Sequence, residues 1–393
     1  MKQPYNPTDD KPMVDNRPQI DVPTTIETMN AETATGPGLS YWQLVRRRFL
    51  RNRYGVVGLI GCMIIVITAV FSGFIAPYDG ETKDRTAIYS PPQMPKIFAP
   101  EGGLTRPYIL GYAEEMDPNT FEITFVPDPE VRHNLALFVK GDPWTFLGLE
   151  FETHLVGTTD GGFVHLLGTD SLGRDVFSRM VEGTRVTLLM GFLVMAASCF
   201  IGTIVGVSSG YFGGVFDMLV QRIVEFVRSF PDLPLYLALV AILPRRADPI
   251  TVFILFASIL VLLRWADLSR ELRGKVISLR SMDYVRSAVA VGASDQRIIG
   301  RHIVPNTSSH IIVWATYQLP EVILLESFLS FLGVGVQAPM VSWGTMLNQV
   351  RDFQSFAAAP WLMAPVGMIV ISVLAFNAFG DGLRDAMDPY SND

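Results

Sequence analysis

Only two cysteines occur in 393 residues, and Cys62 and Cys199 both sit inside apolar runs. They build no disulfide framework and read as small buried hydrophobes. Charge is scarce too, at 18% of residues against 49% hydrophobic. No G-x-x-x-x-G-K-[ST] run is present, so this chain cannot cradle a nucleotide's phosphates in that way. His302-Ile-Val-Pro-Asn306 fails the H-E-x-x-H pattern, and no metal site is indicated. Gly206-Val-Ser-Ser-Gly210 fits the loose G-x-S-x-G pattern, but a serine nucleophile needs a base in reach. None of the five histidines (His133, His154, His165, His302 and His310) lies within an apolar run facing Ser208. Glycine at four-residue spacing explains that run as helix packing instead.

What the chain has is long apolar stretches. Six of them, at about 54–76, 184–209, 218–243, 249–266, 308–332 and 360–381, approach the length of ~20 residues that a helix needs to cross a bilayer. The expected fold is an all-α polytopic membrane protein with six transmembrane helices. The first run starts too late and runs too long for a cleaved signal peptide, so it reads as an anchor. Gly55, Gly58 and Gly61 share one face of it, and Gly202, Gly206 and Gly210 do the same in the second. Phe230-Pro-Asp-Leu-Pro234 interrupts the third, where a kink is expected.

Between and before these runs the character changes. Residues 1–38 are rich in Pro, Thr, Asp and Glu and read as a disordered tail. Residues 39–53 interleave aromatics with arginines, as an interfacial amphipathic helix or a stop-transfer flank would. The 77–166 segment alternates in Phe121-Glu-Ile-Thr-Phe-Val126 and is aromatic over Trp144–Phe151, which suggests a small β-rich module. Residues 167–183 form an outer segment in which Thr169 and Asp170 can cap a helix. Asp175 and Arg179 lie one turn apart there, as a surface pair.

Basic residues set the orientation. Five arginines, Arg46, Arg47, Arg48, Arg51 and Arg53, immediately flank the first run, and Arg264, Arg270, Arg273, Lys275, Arg280, Arg286, Arg297 and Arg301 fall in or beside the 267–307 loop. Arg245 and Arg246 dissent, but the majority puts both termini and that loop in the cytoplasm and 77–166 outside. The loop itself reads as structured. Asp283 can cap a short helix, Gly292 can end it, and Ser294 and Asp295 offer a second cap. Asp232, Glu321 and Glu326 are acids inside apolar runs, where an ionised group costs about 2.5–3.5 kcal/mol at a helix centre. Each is either paired structurally or placed along a conduit. Trp343 either opens a short helix or anchors at the interface.

Gly292-Ala-Ser-Asp-Gln-Arg-Ile-Ile-Gly-Arg-His-Ile-Val-Pro-Asn306 resembles the signature loop of ABC-importer permeases. Leu167-Gly-Thr-Asp-Ser-Leu-Gly-Arg-Asp-Val-Phe-Ser-Arg179, Gly210-Tyr-Phe-Gly-Gly-Val-Phe-Asp217 and Ser327-Phe-Leu-Ser-Phe-Leu-Gly-Val-Gly335 narrow it. With Ser342-Trp-Gly-Thr-Met346 and Phe379-Gly-Asp-Gly-Leu-Arg-Asp-Ala-Met-Asp-Pro389, they are similar to the second permease subunit of dipeptide and oligopeptide importers. The long 77–166 insertion matches a subset of that branch.

The resemblance implies a type I ABC importer permease fold, with a five-helix core over 184–389. It implies docking of an ATPase on Tyr284, Val285, Arg286, Ser287, Ala288, Val289, Gly292, Ala293 and Asp295. Arg286-Ser287-Ala288 stands where the family favours Glu-Ala-Ala. Asp232, Glu321, Glu326, Asp170, Arg174, Asp175 and Trp343 are then the expected path or gate residues. The implied partners are two ATPase subunits or domains holding ATP and Mg, a second permease, a periplasmic binding protein and membrane lipid. No role for nucleic acid, and no catalysis by this chain, is expected. The implied function is alternating-access import of peptides across a bacterial inner membrane; the rival substrates are opines, oligosaccharides and other small solutes. A membrane-anchored binding or assembly module is the alternative from another class.

Overall fold

A computed structural model describes residues 40–388 except 99–102, 117, 119–122, 147, 245–246 and 352. The 1–38 tail and Arg245–Arg246 therefore lie outside the described residues. Chain contacts divide it into Met1–Leu44 and a compact unit Val45–Asp393. Helix α1, Tyr41–Arg51, carries Val45 and Phe49 one turn apart, and both are buried in a cluster with Ala386 and Met387. Arg46, Arg47 and Arg51 stay exposed.

Asn52 caps α2, Arg53–Val70, by accepting from the Gly55 amide at 3.0 Å. Its glycine face meets the last helix of the chain. A Cβ on Gly55 would lie 2.8 Å from the Gly382 Cα, and one on Gly58 would lie 2.8 Å from the Ala375 carbonyl oxygen. A short helix α3, Ser72–Ile75, follows.

The expected β module is present. Strands β1, Lys96–Phe98, β2, Leu104–Met116, β3, Ile123–Phe146, and β4, Leu149–Thr158, form one antiparallel sheet in sequence order. Trp144 and Phe151 are cross-strand partners with rings stacked at 5.0 Å. Phe146 stacks on Phe71 at 5.5 Å, which seats the sheet on the end of α2.

Helix α4, Val176–Phe212, is 37 residues long. Its glycine stripe packs against α7, Pro249–Arg280: a Cβ on Gly206 would lie 2.8 Å from the Ser269 Cα. The expected third span is instead two helices, α5, Gly214–Arg228, and α6, Asp232–Ala241. Pro231 has no amide hydrogen and stands extended at ψ 127°, so the ladder stops rather than bends. Among the described residues, five helices are long and apolar enough to cross a membrane, and neither α5 nor α6 is one of them.

Two further boundaries differ from expectation. Helix α7 continues 14 residues beyond Ala266, because no proline interrupts the polar stretch that follows. After α8, Asp283–Ala290, and α9, Asp295–Ile298, a π turn over Ile299–Ile303 runs straight into α10, Val304–Phe331. Pro305 is tolerated because it sits in the first turn. Helices α11, Trp343–Leu347, α12, Phe353–Ala358, and α13, Ala364–Met387, are the remaining α-helices among the described residues.

Overpacking a tight seam costs about 1–3 kcal/mol. Gly206→Leu should therefore lower the thermal stability of the detergent-solubilised protein. Gly274→Ala, where no atom lies within 4 Å of the added carbon, should leave it unchanged. Fluorescence-detected gel filtration after heating reads both variants.

Candidate functional site

The 267–307 loop is a built object. Helix α8 ends in a Schellman motif: the Ala293 amide donates to the Ala288 carbonyl and the Gly292 amide to Val289, both at 3.0 Å. Gly292 takes φ +81°, which a side chain would disfavour. The N-cap is Met282, with no side-chain bond, so Asp283 is not the cap but sits in the first turn, where it suits the helix dipole. Ser294 stands at the α9 N-cap without a side-chain bond. Asp295 instead accepts from the Tyr211 hydroxyl at 2.7 Å.

Val285 keys the loop into the bundle. It is 1% exposed among Tyr211, Leu268, Leu272, Val276, Ile298 and Ile303, which come from α4, α7 and the approach to α10. Arg280 donates to the Tyr211 carbonyl at 2.8 Å, closing the joint between α4 and α7. Ala288 and Ala293 are half-buried against the same cluster. Tyr284, Val289 and Val291 are exposed, as are Arg286, Ser287 and Gly292. The exposed apolar side chains are therefore Tyr284 and Val289 on α8 and Val291 at its C-cap.

The membrane acids separate into two environments. Glu321 on α10 accepts from Arg264 on α7 at 2.7 Å; Glu321 is about half exposed and Arg264 mostly buried. Asp232 opens α6 and is exposed. Glu326, by contrast, is wholly buried and accepts from the Ser330 hydroxyl at 2.7 Å. Ser330 in turn accepts from the Val336 amide at 3.0 Å, so Glu326 pins the turn after α10.

The segment before α4 holds a second polar network. Asp170 accepts from the Arg174 Nε at 2.9 Å, from the Arg174 amide at 3.0 Å and from Gln349 at 3.2 Å. Arg179 donates to Glu81 at 2.8 Å and to the Gly80 carbonyl at 2.7 Å. Asp175 and Arg179 are thus buried in separate partnerships and form no surface pair. Asp175, rather than Thr169 or Asp170, caps α4, taking the Ser178 amide at 2.6 Å. Trp343 is buried, and its Nε1 donates to the Met180 carbonyl at 3.1 Å, so it anchors α11 and is no belt residue.

His165 lies between Asp175, at 3.2 Å, and Asp84, at 3.4 Å, and its side chain is 3% exposed. Burial alone would push its pKa down, but the two carboxylates outweigh that and hold it at about 9. The His165 hydrogen bond holds Asp84 down at about 2. Asp170 stays below the carboxylate range despite its burial, because Arg174 bonds it. Residues 84 and 165 are too far apart in the chain for spacing to betray this cluster. Arg264 had one sign in the sequence: Arg264, Asp267, Arg270 and Arg273 recur every three residues along α7.

A bundle of membrane-length helices with a rigid loop at one end and a pinned polar segment at the other is the build of a transport subunit. Residues 202–391 match the family of binding-protein-dependent transport system inner membrane components. Residues 40–92 match the N-terminal TM domain of oligopeptide transport permease C. The oligopeptide transport system permease protein OppC of Haemophilus influenzae is 36% identical over 65% of this chain and 81% of its own. The dipeptide permease DppC of the same organism is 31% identical over 87% and 92%. The glutathione transport system permease protein GsiD of Pectobacterium atrosepticum is 39% identical over 57% and 72%. The chain belongs to the C-type permeases of the dipeptide and oligopeptide ABC importers, and it is a transmembrane subunit of a binding-protein-dependent importer.

The His165 cluster predicts a pH dependence. A proton held more tightly when folded stabilises fully below the ordinary value of 6.5, and that stability is lost as pH rises through about 9. The Asp84 contribution has the opposite sense: present above 3.8 and lost as pH falls through about 2. Thermal stability should decline between pH 6.5 and 9.5, by at most on the order of 3 kcal/mol. His165→Gln should flatten that slope, and melting curves across this range measure it.

Proposed function

We propose that this chain pairs with a second permease subunit, two ATPase subunits or domains and a periplasmic binding protein to import peptides across a bacterial inner membrane. The fold is of the type I importer class, both termini are cytoplasmic, and the four-stranded sheet is periplasmic. ATP and Mg bind the partner ATPases. The relatives' peptide, dipeptide and glutathione names support a peptide substrate.

The observation that carries the mechanism is the two-sidedness of α8. Val285 is locked into the ends of α4, α7 and the approach to α10, while Tyr284, Val289 and the C-cap Val291 are exposed. A partner seated on that outer face moves the helices beneath it. Reversing a conformational equilibrium from 1:99 to 99:1 takes about 5.5 kcal/mol, and nucleotide turnover in the partner ATPases supplies it through this loop. Asp232 and Glu321 border the path, with Arg264 beside them. Glu326, Asp170, Arg174, Asp175 and Trp343 hold the outer gate in shape.

Because Ala288 is half-buried in this chain's own cluster, outward residues give the cleaner test. In the reconstituted importer, Val289→Asp and Val291→Asp should assemble normally, lose ATPase docking and reduce ATP-driven dipeptide uptake at least about tenfold, the scale of an interface hot spot. Uptake at wild-type rate in both variants refutes the docking assignment, and flux without the ATPases makes the chain a channel.

A further inference from the structure

Between α5 and the far end of α7 lies a cavity of about 650 Å³ lined by Asp217, Arg222, Glu225, Arg228, Arg270 and Arg273. Its volume falls within the range of roughly 300–1,000 Å³ typical of small-ligand sites. Most of its charges are spoken for. Arg273 forks onto Asp217 at 2.5 and 2.7 Å, Arg222 meets Glu225 at 2.6 Å, and Arg228 pairs with Asp267. Arg270 is exposed and has no carboxylate partner among the described residues. The Arg222–Glu225 pair is 74% and 59% exposed, and such a pair is worth only about 0–1 kcal/mol. Both partners are therefore free to exchange for a ligand's charges.

The direction of this face decides what it meets. At 100° per residue, Asp217, Gln221, Glu225 and Arg228 fall within about 80° on one side of α5, with Arg222 at the border of the apolar side. The exposed apolar residues Val215, Leu219, Ile223 and Phe226 lie on the other. Acyl chains suit the apolar side. The charged side has to face water or protein. Nine residues earlier on α7, and about 180° round the helix from Arg273, stands Arg264 with its Glu321 partner.

We propose that this cavity is an inward-side station of the translocation path that receives a zwitterionic peptide. Arg270 takes the free terminal carboxylate, and Glu225, released from Arg222, takes the terminal ammonium. The assignment rests on the peptide-importer reading and adds to it a chemical requirement, a free carboxylate, imposed by this chain.

The test uses the complete importer, nucleotide-free, in nanodiscs of neutral phosphatidylcholine. A photoactivatable dipeptide, alanyl-photoleucine, is compared with its C-terminal amide, and the cross-linked residues are found by mass spectrometry. The acid should label segments 214–228 and 264–273 about tenfold more than the amide, the scale of one hydrogen bond to a charged group. Arg270→Gln should bring the acid down to the level of the amide, while Arg270→Lys should keep most of the difference. Equal labelling by acid and amide, or full labelling in Arg270→Gln, overturns the site. Loss of acid labelling when phosphatidylglycerol is added makes the cavity a lipid-headgroup site and also overturns it. Wild-type dipeptide uptake is measured in parallel. Uptake with equal labelling refutes the station alone, whereas no uptake refutes the peptide reading and the station together.

Discussion

The seam between α4 and α7 is a contact of backbone on backbone, and the rest of the bundle takes its position from it. Gly206 lets the two helices approach until a single added carbon would strike the Ser269 main chain. Gly202 and Gly210 extend the same contact toward Trp265 and Arg273. In lipid there is little hydrophobic gain from pairing two apolar helices, so close packing of small residues has to supply the association. Held this way, α7 projects past its apolar stretch and offers Leu272 and Val276 as a seat for Val285. The 267–307 loop is thus held in place because a glycine stripe further up is tight.

Charge pairing completes the arrangement. Asp217 with Arg273 and Arg228 with Asp267 tie both ends of α5 to α7, and Glu321 with Arg264 ties α10 to it. These pairs are not strong sources of stability, since desolvation offsets most of their attraction. Their effect is on specificity: a half-buried charge left without its partner is costly, so each pair disfavours every packing that would separate it. At the other end His165 does the same for the segment that leads into α4, drawing Asp84 and Asp175 together in a buried site. The two ends differ in kind. The network before α4 is largely buried, whereas the cavity between α5 and α7 keeps an exposed arginine without a carboxylate partner among the described residues.

Much of this was legible in the residues. Apolar length marked the spans, glycine spacing marked their packing faces, and Gly292 marked the end of α8. The misses have local reasons. Hydropathy ends at Ala266, but a hydrogen-bond ladder does not depend on hydropathy, and Gly274 alone does not stop α7. Pro231 and Pro234 announced a disturbance, yet only the surrounding packing decided that it is a full break between α5 and α6. Asp175 and Arg179 one turn apart looked like a surface pair; both are buried, and each has a stronger partner elsewhere.

By itself, then, the sequence determined that the chain lives in a membrane, which faces of its helices approach closely, and that a shaped loop stands at one end. Those properties follow from period, composition and the special chemistry of glycine and proline, all of which act over a few residues. Only the tertiary structure decided which charges meet. Asp217 and Arg273 are 56 residues apart, Arg264 and Glu321 57, and Asp84 and His165 81. Partners so distant are chosen by which helix faces come together, and no local pattern encodes that choice.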